Sequence, residues 1–156
     1  MVNLVSVFVG FILGLLASIV VRGWQSRIDE HSHRYNDIRD TVFRAAELAT
    51  SYWLKDPVIR YREAEAHLNG LVTMLNGLAL EIATEYRDDP TVHSQRLQYF
   101  FELTTGGEQY EIDERDPNPA RASAVQTEAA KLILYFQKYR RQKLTIFEYF
   151  RIGFSP

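Results

Sequence analysis

The first feature of the sequence is an uncharged, largely apolar run from Val2 to Val21. About 20 residues at about 1.5 Å each cover the roughly 30 Å hydrocarbon layer of a bilayer. We therefore expect residues 1–22 to form a transmembrane anchor. The alternative is a cleaved signal peptide, which has a basic segment before a shorter apolar stretch. No basic residue precedes this run, and the pattern favours an uncleaved helix.

The charges that flank the run predict its orientation. Arg22 and Arg27 follow it directly, whereas Met1–Asn3 carry no basic side chain. The positive-inside rule then leaves the N-terminus outside and the remainder of the chain in the cytoplasm. We expect a single-pass protein of the inner (plasma) membrane, and the absence of cysteine fits a reducing compartment.

Small residues recur at every fourth position within the apolar run. We call them the small-residue stripe: Ser6, Gly10, Gly14 and Ser18. Helices associate in lipid where small side chains let their backbones approach closely. The stripe predicts homo-oligomerisation of the glycine-zipper type. The alternative is the ordinary glycine content of membrane helices.

Beyond the anchor, the apolar period changes to 3.5 residues. Positions from Trp24 to Tyr52 alternate at spacings of four and three, as in a coiled-coil seam. Because no proline occurs before Pro57, we expect one helix over residues 3–55. The seam suits packing against another subunit or against later helices of the same chain, and the repeat leaves both open.

Three further helices follow in the pattern. The second begins near Val58, and the third follows Pro90 with an apolar row that includes Val92, Leu97 and Phe100. A long loop is expected over residues 105–119.

The last helix has a clear start, with Asn118 as its N-cap and Pro119 as its first residue. The expected fold class is all-α. One N-terminal transmembrane helix continues into the long helix of a cytoplasmic antiparallel bundle of about four helices, over residues 23–156.

Two groups of basic residues are candidates for binding anions. They are Arg60 and Arg62 near the start of the second helix, and Lys138, Arg140, Arg141 and Lys143 late in the fourth. Arginine in particular binds phosphate through a planar fork of donors. The expected partners are a nucleotide or, where the last helix returns to the bilayer, anionic headgroups. The alternative is pairing with the acidic residues of neighbouring helices.

The sequence lacks the motifs of the commoner enzyme classes. There is no cysteine, Gly-x-Ser-x-Gly or Ser-x-x-Lys, and the single Glu-x-x-His that begins at Glu30 lacks the second copy of a di-iron bundle. We expect no catalytic activity, no metal and no cofactor. His31 lies on the seam and is expected to pack or hydrogen-bond there, whereas Glu65 and Glu85 resemble surface charges.

Two functions fit this organisation. The first is a homo-oligomeric membrane-perturbing or signalling effector that the cytoplasmic bundle controls, a layout shared by small bacterial defence proteins, including phage-defence types. The second is a membrane-tethered scaffold or accessory subunit that docks a cytoplasmic protein. The first uses the small-residue stripe, whereas the second needs only an anchor.

Overall fold

The described residues are all-α and form four helices, in the order expected from the sequence. The computed structural model describes residues 4–54, 61–86, 88–106, 110 and 116–143. The helices are α1 (Leu4–Leu54), α2 (Tyr61–Glu85), α3 (Pro90–Thr105) and α4 (Pro119–Lys143).

The longest element, α1, is one helix of 51 residues, about 75 Å long at the standard rise. It is long and apolar enough at its N-terminal end to cross a membrane, since an 18-residue window there has a mean hydropathy of 2.1 with 0% of it buried. Signal sequences share this length and composition, and the property shown is that the segment is able to span a membrane.

The later part of α1 packs within its own chain. It lies against α2 on one side and α4 on the other, while α3 closes the bundle by contacting α2 and α4. Later helices of the same chain cover most of the seam, since six of its nine positions are buried: His31, Ile38, Val42, Ala45, Ala49 and Tyr52. The other three, Trp24, Ile28 and Tyr35, are partly buried. The alanines let neighbouring helices approach α1 closely.

The third helix buries Leu97 and Phe100 as expected, but the expected burial of Val92 is wrong. Val92 is 49% exposed, whereas the neighbouring His93 is 1% exposed. The inward row runs through His93, Leu97, Phe100 and Thr104, which are spaced by four, three and four residues. The helix begins after Asp89, whose side chain accepts a hydrogen bond from the Thr91 N–H at 2.9 Å.

The end of the bundle far from the apolar segment, which we call the distal end, is closed by backbone capping. The Asn118 side chain accepts from the Arg121 N–H at 2.9 Å, and Pro119 begins α4, which confirms the predicted cap. The Asn118 N–H donates to the Trp53 carbonyl at 2.7 Å. One residue thus starts α4 and ties it to the last turn of α1.

Arg121 joins three helices at the distal end. Its guanidinium donates to carbonyls at the end of α3, including Leu103 at 2.9 Å, and to those of Glu102 and Gly106. It also lies over the Trp53 ring of α1, 4.3 Å from the centroid. Gly106 permits this turn because a Cβ there would lie 2.6 Å from the Glu102 oxygen.

We expect Arg121→Ala to lower the free energy of unfolding by about 2 kcal/mol, since hydrogen bonds from a charged donor are lost. Arg121→Lys should lose part of this, because an ammonium lacks the fork. Denaturant unfolding in detergent micelles measures both. The exposed Arg141→Ala is the control on the same helix, and equal stability of the two alanine variants would contradict the capping role.

Candidate functional site

The small-residue stripe lies on the exposed part of α1. Gly10 and Gly14 face open space, since an added Cβ would meet nothing within 4 Å, and Ser18 is exposed. The backbone of Ser6 belongs to α1, but its side chain lies outside the described residues. The stripe is therefore open to lipid or to another helix, and oligomerisation through it stays a prediction.

The basic residues divide between opposite ends of the bundle. Arg62 is exposed at the start of α2, at the distal end, whereas Lys138, Arg140, Arg141 and Lys143 lie at the end of α4. The 25 residues of α2 span about 37 Å, so Arg62 and the α4 group do not form one site. Arg60 lies outside the described residues.

The end of α4 returns to the part of α1 nearest the apolar segment, which we call the proximal end. Arg140 donates to the Ser32 hydroxyl at 2.6 Å and lies 5.4 Å from the Tyr35 ring centroid. Lys143 pairs with Asp88, whereas Lys138 and Arg141 are exposed. Two of the four predicted anion contacts on α4 thus bind groups of the chain itself.

Polar and aromatic side chains from all four helices meet at the proximal end. We call this set the proximal cluster: His31, Arg34, Glu85, Tyr86, Asp88, His93, Tyr135, Tyr139 and Lys143. It surrounds the short turn from α2 into α3, which carries Tyr86 and Asp88. The cluster therefore lies where α1 leaves the bundle.

Glu85 fixes the end of α2 to α1. One carboxylate oxygen lies 3.2 Å from His31 Nε2, and the other accepts from Arg34 at 2.5 Å. Arg34 also contacts Glu30, at 2.8 Å. Glu85 is thus a cross-helix partner, and the expectation that it is a surface charge is wrong. The same holds for Glu65, which is 9% exposed and accepts from the Tyr52 hydroxyl at 2.7 Å.

Aromatic rings continue the connection from α1 to α4. The His31 and Tyr86 rings are stacked, with centroids 5.0 Å apart and planes at 25°. Tyr139 of α4 meets Tyr86 edge-on at 5.6 Å, and its hydroxyl donates to Asp88. His31 is therefore a packing and hydrogen-bonded residue, as expected from its seam position.

His93 is the most deeply buried titratable group of the cluster. Its Nδ1 lies 2.9 Å from the Tyr135 hydroxyl, and its ring meets Tyr139 edge-on at 4.7 Å. Nε2 has no hydrogen-bond partner among the described residues. Burial lowers the pKa of His93, against the Asp88 charge, which raises it. The imidazole is accordingly neutral near pH 7.

Burial and neighbouring charges have opposite effects on the pKa values of several other groups in the cluster. The pKa of His31 is lowered by burial, although Glu85 opposes this, and burial raises the pKa values of Tyr86 and Tyr139. Burial alone would raise the pKa of Asp88, but its bonds to Lys143 and Tyr139 outweigh this and lower it. The cluster near neutral pH thus combines neutral rings with charged Asp88 and Lys143.

The chemistry of this arrangement is that of binding and coupling. Within the described residues, no group of three or more His, Asp or Glu side chains could hold a metal ion. Tyr139 lies within the basic group predicted on the last helix, whereas Tyr86, Asp88 and His93 were not predicted as site residues. For His93, the spacing to Leu97, Phe100 and Thr104 was a usable signal, whereas Tyr86 and Asp88 are defined by contacts between distant helices.

Comparison with known proteins adds no relative: no protein-family model matches the chain, and no match is found among curated proteins or solved structures.

Stability should fall when the pH drops from about 7.5 to about 5.5. Because burial lowers the pKa of His31 and of His93, the unfolded chain takes up protons near pH 6.5 that the folded chain does not. The contribution of these two histidines to the free energy of unfolding is complete above this pH. It decreases below this pH, by at most about 1.4 kcal/mol per pH unit for each histidine.

Melting temperatures of the full chain in detergent test this dependence. His93→Phe should reduce it, whereas the exposed His33→Phe should retain it in full. An unchanged pH dependence in His93→Phe would show that His93 does not contribute.

Proposed function

We propose that this chain is a non-enzymatic, single-pass membrane protein that homo-oligomerises through the small-residue stripe and acts as a membrane-perturbing or signalling effector. The observation that carries the proposal is the continuity of α1 from Leu4 to Leu54. One helix bears the exposed stripe near its start and part of the bundle core near its end.

Exposure of the apolar segment supports anchoring in a membrane. Large side chains along it are 40–64% exposed from Val7 to Ile19, and water would disfavour such a surface. A bilayer removes this cost, and the helix satisfies its own backbone hydrogen bonds there. The arginines after the segment favour an anchor in the inner membrane with the bundle on its cytoplasmic side.

The bundle has a direct mechanical connection to the anchor. At the proximal end, α1 is held from one side by Glu85 of α2 and from the other by Arg140 of α4. A signal that shifts α2 or α4 therefore tilts or rotates α1, and the change reaches the stripe through a rigid helix. This coupling is the proposed route of control.

A specific surface favours a second function, that of a tethered scaffold. An open apolar groove of about 660 Å³ lies between α1 and α2, with Leu48, Leu71 and Met74 among its lining residues. Arg44 and Glu47 also line it. A helix of a cytoplasmic protein would suit a groove of this kind. In this function the anchor only localises the bundle.

Gly10→Leu/Gly14→Leu should reduce the oligomer to a smaller species, because leucine side chains prevent close backbone approach. Native mass spectrometry of the detergent-solubilised protein measures the copy number. Ile12→Phe/Leu16→Phe is the matched control, since these exposed residues lie about 200° around the helix from the glycines and add bulk on the opposite side. An oligomer that survives in the glycine variant would move assembly away from the stripe.

Exchanging Gly10 with Ile12 and Gly14 with Leu16 tests the role of α1 as a transmitter. The exchange preserves composition and moves the two glycines to the opposite side of the helix. We expect the oligomer to persist with its bundles rotated. Induced expression of this variant should then leave the membrane potential intact, whereas induced expression of the wild type should dissipate it. A scaffold would tolerate this change, and an intact potential with the wild type would exclude a membrane-perturbing effector.

A further inference from the structure

The proximal cluster encloses one ammonium group in a cage of complementary chemistry. Lys143 Nζ lies 2.9 and 2.8 Å from the two carboxylate oxygens of Asp88. It also lies 5.5 Å from the ring centroids of both Tyr86 and Tyr139. A carboxylate and two electron-rich rings around one nitrogen are the groups that recognise ammonium compounds. We call Tyr86, Asp88 and Tyr139 the ammonium cage.

The walls of the cage have contacts that do not involve Lys143. Tyr86 is 5% exposed and stacks on His31, while Tyr139 packs edge-on against His93. The Tyr139 hydroxyl donates to Asp88, which orients the carboxylate. These contacts preorganise the cage independently of its occupant.

The position of Lys143 allows another ammonium group to replace it in the cage. Lys143 is the last residue of α4, so its ammonium enters the cage from a helix end. The side chains of Lys143 and Asp88 are 15% and 29% exposed, and solvent therefore reaches the ion pair. Loss of this contact would free the last residue of α4 from Asp88, while the Tyr139 hydroxyl would still donate to that carboxylate.

We propose that the ammonium cage is a binding site for primary or quaternary ammonium groups, with Lys143 as its built-in competitor. One carboxylate neutralises one cation, and the guanidinium groups of Arg34 and Arg140 lie near the Tyr86 side chain. An entering ammonium must therefore displace Lys143. Displacement releases the last residue of α4, three residues beyond Arg140, which is one of the two holds on α1.

The position of the cage points to lipid headgroups as the source of the ligand, a step that rests on the proposed membrane anchoring. Because Arg140 contacts Ser32, Lys143 lies near the level of residue 29, about 12 Å beyond Val21. The headgroup layer is roughly 5–8 Å deep with lipid ammonium groups at its outer edge, so the cage lies about 4–7 Å from them. Free cytoplasmic amines share the same chemistry.

Chemical rescue of Lys143→Ala tests the cage in the full chain, in a maltoside detergent that carries no ammonium. Tetramethylammonium and ethylammonium chloride should raise its melting temperature by about 3 °C more than sodium chloride of equal ionic strength, at about tenfold excess over the Kd. The wild type should respond less, because Lys143 competes. Lys138→Ala, which removes an exposed lysine of the same helix, should respond to the salts as the wild type does.

Two further measurements keep the result unambiguous. Adding Asp88→Asn to Lys143→Ala should abolish the rescue, since the cage then lacks its charge. If Lys143→Ala does not fold, NMR of wild-type protein with labelled tyrosines replaces the melt. The Tyr86 and Tyr139 ring signals should shift with tetramethylammonium and not with sodium, and no shift would overturn the proposal.

Nanodiscs distinguish the two sources of ammonium. Phosphatidylethanolamine in phosphatidylglycerol discs should stabilise Lys143→Ala more than Lys138→Ala if headgroups enter the cage. Rescue by soluble ammonium without a lipid effect would overturn the headgroup source and leave free amines as the ligand. Absence of rescue in both settings overturns the site itself. The detergent experiment needs neither bilayer nor oligomer, so its failure is distinct from failure of the stripe.

Discussion

The unbroken backbone hydrogen bonding of α1 is the constraint on which the rest of the structure depends. A helix of 51 residues satisfies its interior polar groups internally, so the same element suits an apolar exterior near its start and a packed bundle near its end. The backbone stays the same along the helix and the side chains differ. They are exposed and apolar near its start, and further along they form a seam with a 3.5-residue period. The other helices are arranged around this one element.

The two ends of the bundle are held by different forces. At the distal end, Asn118 and Arg121 cap backbone groups and join α1, α3 and α4. At the proximal end, ion pairs and stacked rings join the helices. The strength of the ion pairs depends on protonation and on competing charges. The capped end is suited to preserving the fold, whereas the charged end is suited to responding to ligands or pH.

The two proposals concern adjacent parts of one path. The small-residue stripe is where α1 would meet other copies, and the ammonium cage is where the end of α4 would be released. Ser32 and Tyr35, through which Arg140 holds α1, lie about one to two helical turns beyond the level of the cage. A change at the cage is thus a local change of charge pairing with a rigid helix as its output.

The sequence by itself determined the elements, because helix periods and caps are local. The seam through Val42 and Ala49, the start of α4 at Asn118, and the uncharged segment were all predictable from spacings of a few residues. Only the tertiary structure decided that the seam packs within one chain, that His93 is buried in place of Val92, and that Asp88 meets Lys143. The partners in the proximal cluster are 51–55 residues apart for Arg34–Glu85 and Asp88–Lys143, and their meeting depends on the relative register of packed helices, which no local pattern encodes.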